Sequence, residues 1–143
     1  MCVDVKKIST HGSSFYKAAH RCAEQVQNSD GTFERLLIPE NVCLAFSVEL
    51  NLKALIYSEG HAPNDTHNLR TLFRSLNGKT QNAIEAIIGY EKNLFDGKLK
   101  EIADSFEFWR YVYEQGDFSF DLEVLNKLAM SCEEISNNII NRS

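Results

Sequence analysis

Side chains able to grip or cleave a phosphate are sparse in this chain, and each sits in a different setting. Arg110 lies in F-W-R-Y-V-Y-E at residues 108–114, and its planar fork of donors can hold a phosphate at two points. Glu107, three residues before it, and Glu114, four after, share its helical face, so a solvated ion network is the plain alternative to a phosphate groove. Glu49 stands in the most apolar stretch of the sequence, where an unpaired carboxylate is costly. Something must pair with it. The choices are Lys53, one turn further on, or Arg110 brought in from another helix. Asn51 suits an interhelical hydrogen bond or, alternatively, a ligand contact.

His67 is expected in the first turn of a helix, in a capping or packing role. Its separation from His61, H-x5-H, is a poor metal spacing without a nearby carboxylate helix, so no metal site is expected. Arg70 and Arg74 are four apart on one helical face with Lys79 just beyond. They form a local basic patch for a nucleic acid backbone or an acidic partner, or simply a solvated face. Asp117 can serve as a base, although beside Gly116 it also fits an ordinary turn. The four cysteines, Cys2, Cys22, Cys43 and Cys132, form no C-x-x-C pair, and three fall on apolar helix faces as small hydrophobes.

These residues need positioning elements, and the periodicity supplies helices. From Asn41 to Glu59 there is no glycine or proline, Pro39 lies just ahead, and the apolar positions cover nearly the whole circumference. That describes the central helix of a bundle, with Ser47 and Asn51 on one polar stripe and Glu49 and Lys53 on another. Before it, Ser13 or Ser14 is expected to cap a helix with Phe15, Ala18, Ala19, Cys22, Ala23 and Val26 on its face, ending at the turn signal Asn28-Ser-Asp-Gly31. Residues 1–12 read as a flexible segment ahead of it. After His61-Ala-Pro-Asn-Asp65, a helix capped by Asp65 or Thr66 carries Leu69, Leu72, Phe73 and Leu76 until Asn77-Gly78. A short helix capped by Thr80 turns Ala83, Ile84, Ile87 and Ile88 inward.

Phe95, Leu99, Ile102, Phe106, Trp109 and Tyr113 recur at spacings of four, three, four, three and four, predicting one helix with an aromatic core stripe. A last helix buries Leu122, Leu125, Leu128, Ala129, Cys132, Ile135 and Ile139. No strand is expected. The fold class is all-α, a single bundle of five or six helices across 143 residues.

The composition, 43% hydrophobic and 24% charged, is ordinary for a globular domain. The start, M-C-V-D-V-K-K-I-S-T, has no apolar core, so neither a signal peptide nor an anchor is expected, and no stretch reads as a membrane span. A cytosolic protein follows. The net charge of -5 argues against broad electrostatic capture of nucleic acid while leaving room for a local basic patch.

A-F-S-V-E-L-N-L-K-A-L-I at residues 45–56, T-H-N-L-R-T-L-F at 66–73 and F-W-R-Y-V-Y-E at 108–114 occur in an order that resembles the HEPN family, the higher eukaryote and prokaryote nucleotide-binding domains. The resemblance covers about residues 39–114. It implies a bundle of four or five helices, often a homodimer, and either a metal-independent ribonuclease of toxin–antitoxin or phage-defence systems or a companion of a nucleotidyltransferase. The nuclease signature is R-x(4-6)-H. Arg110 matches its arginine, but Gln115, Gly116 and Asp117 follow at the histidine's places, and no histidine comes later.

Glutamine and glycine cannot shuttle a proton near neutrality as imidazole does. The resemblance with its histidine missing therefore implies a binding or regulatory member, a homodimer or a partner subunit, with no cofactor. The rival is a divergent ribonuclease using Arg110 with His67 or Asp117. A nucleotide-binding module built on Arg110, Arg70 or Arg74, without a glycine-rich loop, is a third possibility.

Overall fold

The structure, a computed structural model, describes residues 2–116 and 121–140; Asp117 lies outside the described residues. Helix α1 runs Val5–Cys22, with the Asp4 carboxylate accepting from the Lys7 amide at its start. The chain is thus helical well before Ser13 and Ser14, neither of which is a cap. A hairpin follows, β1 (Val26–Gln27) paired antiparallel with β2 (Phe33–Glu34) in the register Val26 to Glu34 and Gln27 to Phe33. This corrects the expectation of no strand. Asp30 makes the turn, accepting from the Thr32 amide at 2.9 Å and from its hydroxyl at 2.6 Å, and Gly31 takes a φ of 88°, where a side chain is disfavoured. Val26, assigned by its spacing to a helix face, is exposed in the hairpin.

Helix α2 (Leu37–Ser58) begins four residues earlier than its apolar run suggests, because Pro39 sits inside the first turn, where its missing N–H is no loss. It packs against α1, and against α3 (Leu69–Arg74), α6 (Ser105–Arg110) and α7 (Leu122–Ile139), as expected of a central helix. Leu44, Val48, Leu52, Leu55 and Ile56 of α2 form one core with Leu69, Leu72, Ile84, Phe95, Leu99, Leu125 and Leu128. Each fully buried leucine or isoleucine contributes about 2 kcal/mol relative to exposure.

Helix α3 is capped by Asn68, whose side chain accepts from the Thr71 amide at 2.9 Å, rather than by Asp65 or Thr66. Helix α4 (Gly78–Ile88) is capped by Asn77, not Thr80, and ends on Gly89 in the left-handed region. The aromatic stripe expected on one helix is divided between α5 (Lys92–Ile102), α6 and a 3-10 turn at Val112–Glu114. The break has a purpose. Freed at the kink, the Ala103 carbonyl accepts from the Leu69 amide at 2.8 Å, satisfying the first N–H of α3, and Asp104 accepts from the Asn68 side chain at 3.3 Å. Phe95, Leu99, Ile102 and Trp109 remain buried, whereas Tyr113 is 77% exposed beyond the second break. In α7 the buried face turns through Val124, Ser131 and Ser136, leaving Ile139 out. Among the described residues no helix is long and apolar enough to cross a membrane.

Candidate functional site

Glu49 is buried in α2, and both its oxygens are used. Oε2 accepts from Lys53 Nζ at 3.0 Å, and Oε1 lies 2.8 Å from His67 Nδ1. The lysine comes from the same helix one turn on; the histidine comes from the loop before α3. Thr66 Oγ1 fixes that loop by accepting from the Asn68 amide at 3.0 Å, which places His67 just ahead of the cap rather than in the first helical turn. An ionised carboxylate only accepts, so Nδ1 carries the hydrogen, and in the neutral ring this tautomer leaves the lone pair on the second nitrogen, Nε2. The side chain of His67 is 48% exposed, so that nitrogen can meet a substrate.

Phe106 joins His67 to Arg110. The imidazole centroid is 5.4 Å from the Phe106 ring, and the Arg110 guanidinium carbon is 4.9 Å from it. Behind Phe106 the ring of Phe46 stacks at 5.0 Å, and Phe15 meets Phe46 edge-on at 4.6 Å. Half-buried Phe106, outside the main core cluster, is therefore a support for two polar groups. Arg110 lies also 5.0 Å from the Tyr111 ring and donates to the Tyr111 hydroxyl at 2.8 Å. Guanidinium held between two rings keeps its orientation and its donors near the surface.

The expected Glu107–Arg110–Glu114 network does not form among the described residues. Helix α6 stops at Arg110, and Glu114 falls in the 3-10 turn, off the face that a continuous helix would have shared. Nor does Arg110 pair with Glu49, which Lys53 and His67 satisfy instead. Together, Glu49, His67 and Arg110 offer an oriented proton acceptor and a fixed cation on one ring. That set can bind a phosphate and assist proton transfer beside it.

The remaining sequence candidates lie apart. Asn51 is fully buried and donates to Glu133 Oε2 of α7 at 3.2 Å, so it joins helices instead of lining the site. Arg70 is held at two points by Asp96 of α5, at 3.1 and 3.0 Å, and this bidentate pair keeps the Asp96 carboxyl below the usual carboxylate range. Arg74 lines a cavity of about 210 Å³ with Gln81, Glu85, Lys92 and Asp96. His61 Nε2 lies 3.3 Å from the Ser75 carbonyl. Among the described residues, no three His, Cys, Asp or Glu side chains cluster as metal ligands. A polar groove of about 480 Å³ between α1 and α7, with Ser13, Lys17, Glu133 and Asn137 on its walls, contains none of the three motif residues.

Sequence reasoning missed the part of Phe106, four residues before Arg110, whose spacing on one helical face was the available signal. No family model matches the chain, and no curated protein or solved structure is similar to it.

Proposed function

We propose that this chain is a HEPN-like helical protein that works by association. It is a cytosolic homodimer, or a subunit beside a nucleotidyltransferase or another toxin–antitoxin or phage-defence partner, and it holds RNA or nucleotide phosphate at His67 and Arg110. One observation carries this reading. The three segments that resemble the family, far apart in the sequence, each contribute a group to one corner: Glu49 bonded to His67 at 2.8 Å, and Phe106 touching both His67 and Arg110.

The test is fluorescence anisotropy with labelled single-stranded RNA and the full chain. Arg110→Ala removes a charge-assisted contact and should weaken binding about tenfold or more. Unchanged binding in that variant, or none in the wild type, would sink the proposal. Light scattering should give a dimer at micromolar concentration.

A second reading, a metal-independent ribonuclease, is favoured by the Glu49–His67 bond itself. In it His67 Nε2 takes the proton of the ribose 2′-hydroxyl, whose oxygen attacks phosphorus while Arg110 neutralises the developing charge; the P–O5′ bond breaks, leaving a 2′,3′-cyclic phosphate, and the departing 5′-oxygen takes its proton from water. Cleavage in the presence of EDTA, lost in both His67→Ala and Arg110→Ala, would establish it; cleavage that survives His67→Ala would exclude it.

A further inference from the structure

We infer that the groove beside Lys53 is a nucleobase subsite selective for guanine. This deepens the proposal that phosphate is held at His67 and Arg110, and rests on it. The groove has a volume of about 310 Å³ between α1, α2 and the loop before α3. That is the lower end of the range for small-molecule sites, enough for one base. Leu50 and the half-buried Tyr57 and Pro63 supply apolar walls; Lys53, Asn64 and Asp65 supply polar groups.

The polar groups decide which base. Among the described residues the side chains of Asn64 and Asp65 make no hydrogen bond within the protein, while the Asn64 carbonyl accepts from the Thr66 amide at 2.9 Å and shapes the loop. An ionised Asp65 carboxylate offers only acceptors. Guanine alone of the four ribonucleobases presents two adjacent N–H donors, at N1 and N2, on its pairing edge, matching a carboxylate at two points. Adenine and cytosine place a lone pair beside their amino group, which a carboxylate repels, and uracil offers one N–H between two carbonyls. The Asn64 amide can donate to the neighbouring guanine O6.

Continuity with the phosphate corner selects a nucleotide over other flat ligands. Lys53, in the groove wall, is bonded to one oxygen of Glu49, and His67 is bonded to the other, at 3.0 and 2.8 Å. Asp65 precedes His67 by two residues. Base and phosphate would therefore lie on either side of one carboxylate.

Calorimetric titration of the full chain with the 5′-monophosphates of guanosine, adenosine, cytidine and uridine tests this, using Asp65→Asn as the variant. Asp65 is exposed and the replacement is equal in size, so the fold is retained, as circular dichroism will verify. Guanosine monophosphate should bind about tenfold tighter than the others, and Asp65→Asn should bring it down to their level without changing theirs. Equal binding of all four, still lost in Arg110→Ala, would overturn the base subsite and leave the phosphate site standing. A guanine preference that survives Asp65→Asn would also overturn it. Absence of all nucleotide and RNA binding in the wild type would remove both proposals.

Discussion

Replacing Gly12 by alanine should destabilise the protein although alanine is the better helix former. Gly12 sits inside α1 where it crosses α2, and a Cβ added there would lie 2.8 Å from Asn51 Oδ1 and 3.0 Å from its Cγ. Neither side can yield easily. The Asn51 side chain is fully buried and donates to Glu133 Oε2 at 3.2 Å, while the Gly12 carbonyl accepts from Ser47 Oγ at 2.8 Å and ties the backbone to α2. Removing glycine from a helix interior gains up to about 1 kcal/mol. Against this, overpacking costs roughly 1–3 kcal/mol, and displacing a buried amide from its acceptor costs roughly 1–3 kcal/mol more. The net effect is a loss of roughly 1–5 kcal/mol.

Gly97 in α5 is the control, because a Cβ there meets nothing within 4 Å, so Gly97→Ala should show the propensity gain alone. Urea unfolding followed by circular dichroism gives both values from the midpoint at constant slope. In an Asn51→Ala background, Gly12→Ala should become neutral or stabilising, the coupling expected of groups in contact. If Gly12→Ala matches Gly97→Ala in the wild-type background, the crossing is not tight and the reasoning fails.

Glu49→Gln should destabilise by roughly 1–3 kcal/mol, since one amide oxygen can no longer accept from both Lys53 and His67 in a buried position; a variant as stable as the wild type in urea would show that the pair contributes nothing. Asp96 and Asp121 have carboxyl pKa values lowered below 3.8 by bonds to Arg70 and Lys98, respectively. A depressed carboxylate stabilises the fold above its unfolded value, and that contribution disappears as pH falls through the folded value, so Tm should drop below about pH 4. Asp121 also accepts from the Val124 amide at the start of α7, so Asp121→Ala should lose about 1 kcal/mol, or about 4 °C in Tm, at neutral pH; an unchanged melt would discount the cap. Burial pushes the Cys132 thiol well above its usual range, with Glu133 adding to the effect, so iodoacetamide at pH 8 should modify exposed Cys2 and spare Cys132 until urea is added. Equal labelling rates in the native protein would contradict this.

The helices that could be located from sequence are those whose signal is local. Helix α2 has a long apolar run without glycine, and no tertiary contact was needed to recognise it. Helix α1 was placed too late because Ser13 and Ser14 are cap-forming residue types, whereas the helix is capped at Asp4 and runs through them, with Gly12 between them and that cap letting Asn51 approach. The stripe keeps its helical period across the kink from Phe95 to Trp109, since α5 and α6 both turn buried residues of that stripe inward, and only Tyr113, past the second break, leaves it. Periodicity therefore cannot reveal a break whose cause is the Leu69 amide, 34 residues before the Ala103 carbonyl that it needs. The same division governs the site. That a carboxylate in the middle of α2 must have partners follows from burial alone, and Lys53 follows from helical spacing. His67 as the second partner depends on the conformation of the Pro63–Asp65 loop, and the placement of Arg110 on Phe106 depends on where α6 stops. A buried charge makes the need for a partner readable in sequence, but the chain crossings that supply a distant partner are nonlocal, so the sequence leads to Lys53 or Arg110 and only the fold adds His67.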